Sequence, residues 1–224
     1  GFVVGGSLAL YGMRAPLIRS RVRYTVVSRE VMLLINNLIL IVSLAVVFLG
    51  TLYPIAYEAL TGGDKISVGP PYFNSVFVPL MLGLASFLAL APITRWKRTP
   101  LILFKRAGWF FVAALVLGVL LPIMVTGVFK VGSVLALTLG FWIVIMHVAD
   151  VFRRRGTRPA GYIGMVVAHV GFAVSLIGVG VTSEFSHSLE VRMAVGDVVE
   201  MNGVRYQFTE IRPVTGPNYI ADQG

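Results

Sequence analysis

Residues 107–149 read AGWFFVAALVLGVLLPIMVTGVFKVGSVLALTLGFWIVIMHVA, and Lys130 is the one charged side chain among them. As a single helix this stretch would run about 65 Å at ~1.5 Å per residue, twice the roughly 30 Å of a bilayer's hydrocarbon core. Gly127 and Gly132 flank Lys130, so it reads as two spans, Ala107–Phe129 and Val131–Ala149, joined by a tight hairpin. Outward from this pair the pattern repeats. Val31–Tyr53, Phe73–Thr94 and Ala160–Thr182 carry no charged residue. Pro79 and Pro92 are tolerable in a span because neighbouring helices can satisfy the freed carbonyls. The first run, Gly1–Met13, covers only about 20 Å as a helix. It is expected to be the end of a span, which makes the chain a C-terminal piece of a larger membrane protein.

Composition agrees. Of 224 residues, 57% are hydrophobic and 13% are charged, with a mean hydropathy of +0.85. Soluble domains carry about 25% charged residues, so a soluble enzyme is excluded for most of the chain. Disorder is excluded too, because its signature is low hydrophobicity with high charge. There is no cysteine, hence no disulfide, thiolate metal site or cysteine nucleophile.

The 19 Lys+Arg against 10 Asp+Glu give +9, and their placement matters more than their sum. Arg14, Arg19, Arg21, Arg23 and Arg29 follow the first run. Arg95, Lys97, Arg98, Lys105 and Arg106 follow the third. Arg153, Arg154, Arg155 and Arg158 follow the fifth. The intervening loops hold only Lys65 and Lys130. Basic loops that alternate with weakly charged ones are orientation signals, which puts all three on the cytoplasmic side and leaves no case for nucleic acid. Tyr53, Tyr72, Trp96, Trp109 and Tyr162 fall at expected span ends, where amphipathic rings suit the headgroups. Trp142 lies deeper and reads as a packing residue.

The expected fold is therefore an all-α polytopic membrane bundle of about six spans over 1–182, followed by a small extracytoplasmic β-rich segment, 183–224. In that segment Leu189, Val191 and Met193 alternate with Glu190 and Arg192, the period of a half-buried strand. Asn202-Gly203 between Val198–Met201 and Val204–Ile211 is a strong hairpin signal. The loop Pro54–Tyr72, with Gly62-Gly63 and Gly69-Pro70-Pro71, reads as turn chemistry without helix or strand.

His169 is the residue that stands out. It lies about 14 Å into its span, near the midplane, where an ionisable group is a functional hypothesis by default. Neutral imidazole is a common haem and metal ligand. Gly161, Gly164, Ala168 and Gly171 surround it and would let a helix or a flat macrocycle approach closely. The residues alone leave three roles open: an interhelical hydrogen bond, a cofactor ligand, or a proton relay. His147, near Asp150 at the inner end of its span, reads as an interfacial anchor. It lies about 5 Å nearer the cytoplasm than His169, so the two are not expected to grip one iron. His187 is external, with no partner readable from sequence. Asn36 and Asn37 are expected to make interhelical hydrogen bonds.

Several stretches together resemble one family. They are Ser28-Arg29-Glu30, LLINN at 33–37, LGTLYP at 49–54, KISVGPPYFN at 65–74, AHVG at 168–171 and GPNY at 216–219, with the opening VVGGSLALYGMRAP at 3–16. In this order they resemble the C-terminal half of the CcmF-type cytochrome c biogenesis (haem lyase) family, over essentially the whole chain. The resemblance implies a bacterial inner-membrane protein that helps attach haem covalently to apocytochrome c on the outer face. It implies a transmembrane b-type haem as electron relay, with His169, in the AHxG motif, as an axial iron ligand whose partner lies in the N-terminal half. Implied partners are haem, a haem chaperone, apocytochrome c with its thiol-handling partner, quinol as electron source, and membrane lipids. The family's Trp-rich WWD segment and its two flanking external histidines are not in this chain, where Trp96, Trp109 and Trp142 stand apart. The chain is thus expected to supply part of a reaction centre, with no catalytic residue identified. The competing readings are a non-enzymatic scaffold of the maturation complex and a transporter segment. Against the latter, no repeat is visible and the midplane holds one histidine.

Overall fold

The structure, a computed structural model, describes residues 2–17, 23, 25–63, 65–186 and 188–223. The chain divides into two compact units, Gly1–Glu184 and Phe185–Gly224.

The first unit is helical. α1 (Phe2–Arg14) buries none of its residues and runs into a 3-10 turn, Ala15–Leu17. Five longer helices follow: α2 (Arg29–Thr61), α3 (Pro70–Leu90), α4 (Ile102–Thr126), α5 (Val131–Arg153) and α6 (Ala160–Phe185). These five are long and apolar enough to cross a membrane. Their outward faces carry large apolar side chains in the open, such as Leu44, Phe48 and Val174 at 68%, 57% and 62% exposure. Such surface suits lipid, where every backbone group is satisfied inside the helix.

Local chemistry sets the helix ends. Ser28 caps α2, its hydroxyl accepting from Val31 N at 3.4 Å, as N-cap serines do. α4 stops at Gly127, whose φ of +70° is left-handed, and α5 starts four residues later. This is the hairpin expected around Lys130, whose ammonium donates to the Glu184 carbonyl at the far end of α6.

Two features depart from the sequence reading. α2 does not end at Tyr53: it continues through Pro54 to Thr61, so half of the expected turn region is helix. The proline ring would press on the turn around Gly50. There α3 packs its aromatic rings instead, with Tyr72 Cε1 2.6 Å from where a Cβ on Gly50 would stand. The Tyr72 hydroxyl also donates to Val46 O at 3.3 Å. A helix supported by a neighbour can carry a proline that would end an isolated one.

α5 is the central helix. Its Leu139 and Ile143 pack with Ala85 and Ala89 of α3 and Ala173 of α6. On the α4 side, Gly118 leaves no room for a side chain, since an added Cβ would stand 2.8 Å from Thr138 N. Trp142 donates to Ala107 O at 3.1 Å and stacks edge-on against Phe111, the packing role expected of it.

Two of the basic loops meet at one end. Thr25 N donates to Lys97 O, Thr99 N to Val27 O and Arg29 N to Arg95 O, at 2.8–2.9 Å. Both carboxylate oxygens of Glu30 accept from Lys97 N at 2.9 Å, which steadies the left-handed φ of +67° at Lys97.

The second unit holds two separate antiparallel hairpins, β1 (Val198–Met201) with β2 (Val204–Gln207) and β3 (Arg212–Thr215) with β4 (Ile220–Gln223). Asn202 and Gly203 form the first turn, with φ of +53° and +78°, the two-residue type that Asn-Gly favours. The alternating stretch at Leu189–Met193 is the other departure: it forms no strand and pairs with no edge among the described residues. The second hairpin closes over Gly216–Tyr219, where Gly216 N donates to Tyr219 O at 2.8 Å.

Candidate functional site

One antiparallel register runs the length of α5 and α6. A Cβ on Gly132 would meet Glu184, one on Gly180 would meet Ala136, and one on Gly140 would meet Ile177 and the Ala173 carbonyl. Further along, His147 meets His169 and Arg154 lies over Tyr162. Small residues at these positions let the backbones close up, and that approach brings the two histidines together.

Nε2 of His147 lies 2.7 Å from Nδ1 of His169. The rings meet edge to face, 4.8 Å between centroids and 88° between planes. His147 is fully buried, and its Nδ1 lies 2.8 Å from Ile143 O. This overturns its reading as an interfacial anchor. The two rings are in direct hydrogen-bond contact, although counting along their helices had put them at different depths.

The depth difference closes for a geometric reason. Counted from the helix ends at Arg153 and Ala160, His169 is about 4.5 Å deeper. Helical side chains lean toward their own N-terminus. On antiparallel helices His147 therefore leans inward and His169 leans toward the basic end.

His169 is half-buried and forms part of the wall of a cavity of about 370 Å³. Met32, Leu33, Phe87, Leu88 and Met165 give it an apolar lining, and Asn36 adds an amide. Arg29, Asp150, Arg154 and Tyr162 line it at the basic end. Arg29 is braced by Thr94 O at 2.7 Å and sits 5.5 Å from the Trp96 ring centre. The Tyr162 hydroxyl donates to Asp150 Oδ2 at 2.9 Å, and the Arg154 guanidinium lies 4.2 Å from the Tyr162 ring centre. Sequence reasoning missed Arg29 and Arg154 as wall residues, having read them only as orientation signals; Tyr162 it had placed as a headgroup anchor. Asn36 and Asn37 make no interhelical bond among the described residues; Asn36 Nδ2 contacts Asn37 Oδ1 at 3.4 Å. His187 lies outside the described residues. Gly161, Gly164 and Gly171 have nothing within 4 Å of an added Cβ, so that face of α6 is open.

Fold and site together define a multi-pass helical membrane protein with paired imidazoles beside an amphipathic cavity. No family model matches the chain. It is 37% identical over 99% of its length to the cytochrome c-type biogenesis protein CcmF of Pseudomonas aeruginosa. It is 38% identical over 97% of its length to CcmF of Escherichia coli. A solved structure named Cytochrome c Heme Lyase CcmF matches 88% of the chain with a TM-score of 0.64 at 24% identity, covering 32% of that protein, and supports the fold. The chain belongs to the CcmF-type cytochrome c biogenesis family. It spans about a third of the curated relatives it matches, 35% and 34% of these two.

Proposed function

We propose that this chain is part of a membrane haem lyase that attaches haem covalently to apocytochrome c on the outer face, and that His169 is an axial ligand of a transmembrane b-type haem. The observation that carries the reading is the position of His169: an imidazole in the wall of an amphipathic cavity, its ring hydrogen-bonded to His147. The residues present fit the group. Imidazole is the usual b-type ligand, the lining is apolar, and Arg29 and Arg154 suit the two carboxylates haem carries. Bound there, haem would supply one-electron transfer in a low dielectric.

The chain's own residues hold and orient. The α5–α6 register fixes the depth of His169, and the clamp through Arg29 and Thr94 holds α2 against the end of α3. A further ligand to the iron would come from polypeptide outside these residues. The basic loops face the cytoplasm and residues 185–224 face the periplasm, where a haem chaperone, apocytochrome c and its thiol-handling partner would arrive. Quinol is the proposed electron source.

The test uses the complete polypeptide or complex that carries this chain, purified from bacterial membranes. A reduced-minus-oxidised spectrum with a b-type α-band, together with loss of c-type cytochrome maturation in the His169→Ala strain, is the expected result. A colourless protein, or full maturation without His169, contradicts it and favours the scaffold reading.

A further inference from the structure

We infer that His147 is a positioning residue that fixes the tautomer of His169, so that Nε2 of His169 is the nitrogen presented to iron. The inference rests on the haem reading above but is argued from hydrogen-bond bookkeeping that holds without haem.

The Ile143 carbonyl can only accept, so Nδ1 of His147, 2.8 Å away, carries the hydrogen. His147 is fully buried and bonded to no carboxylate; the nearby Asp150 takes its hydrogen bond from Tyr162. It is therefore neutral, since an unpaired buried charge is costly. In a neutral imidazole the second nitrogen holds the lone pair. Nε2 of His147 then accepts, and the donor 2.7 Å away is Nδ1 of His169. That leaves the lone pair of His169 on Nε2, which meets no protein partner among the described residues.

The relay runs one way, from the Nδ1 proton of His169 through His147 to a helix carbonyl. An acceptor on the far nitrogen of a ligating histidine orients the ring and raises its basicity. A more basic ligand favours ferric over ferrous iron. No other described side chain reaches His169 Nδ1, so this role falls to His147 alone.

The experiment compares wild type, His147→Phe and His147→Gln in the complete haem-containing assembly by potentiometric titration and haem content. Phe keeps the bulk and removes the acceptor; Gln returns an oxygen acceptor. The expected result for Phe is 10- to 100-fold weaker haem retention and a raised midpoint potential, about 59 mV for each tenfold of ferric preference lost. Gln should return both toward wild type. A Phe variant with wild-type potential and haem content overturns the inference, as does a Gln variant shifted as far as Phe. A second measurement needs no haem. ¹⁵N spectra of the haem-free protein should show both histidines protonated at Nδ1. An Nε2–H at His169 overturns the inference even if the haem reading stands. A colourless wild type overturns the haem reading while the ¹⁵N result still decides the tautomer.

Discussion

Tyr162 and Asp150 tie the ends of α6 and α5 together with one hydrogen bond of 2.9 Å. Tyr162→Phe should lower stability by about 1 kcal/mol, the usual net value of such a bond, seen as a lower melting temperature in detergent; an unchanged melt would show the bond is replaced by water. Residues of this kind were only partly legible beforehand. The position of His169 in the span could be read by counting, because it lies in the middle of a long uncharged run. His147 could not be placed that way. Its depth depends on α5 continuing through Asp150 to Arg153 and on the opposite lean of side chains on antiparallel helices. A charge marks where a run of apolar residues ends, and says nothing of where the helix does.

Among the elements, α5 and α6 depend on their small residues. Gly140→Leu would drive a side chain into Ile177 and the Ala173 carbonyl. Overpacking of this sort costs about 1–3 kcal/mol and should push His147 away from His169. The expected readout is a lower melting temperature together with weaker haem retention; an intact haem spectrum would show that the register is not what sets the pair. In the second unit, Gly203→Val places a β-branched residue at φ +78°, at a cost of roughly 1–2 kcal/mol. Amide exchange across β1 and β2 should accelerate. The contrast between the Asn-Gly turn and Leu189–Met193 shows what local patterns can carry. Asn-Gly specifies its own backbone geometry, whereas alternation describes a face and needs a neighbouring edge to become a strand. Pro54 makes the same point for helices: the residue alone suggests an end, yet α2 runs through it to Thr61 beside the Tyr72 and Phe73 rings of α3, which pack on Gly50.

For the whole molecule, the five long spans and the gathering of basic loops at one end were written in the distribution of apolar residues and charge, whereas the sixth expected span corresponds to α1, whose 13 residues are not among the helices long enough to cross a membrane. Which face that end occupies is testable with single cysteines, since this chain contributes none of its own. Glu200→Cys should react with a membrane-impermeant maleimide in spheroplasts, and Arg155→Cys only after lysis; the reverse pattern would invert the topology. The account turns on iron held by one nitrogen. The most direct measurement is the reduced absorption spectrum of the complete assembly carrying His169→Gly, recorded with and without free imidazole. The account predicts that the b-type α-band is lost in the variant and returns when imidazole fills the vacated position. A band of wild-type intensity without imidazole would contradict it.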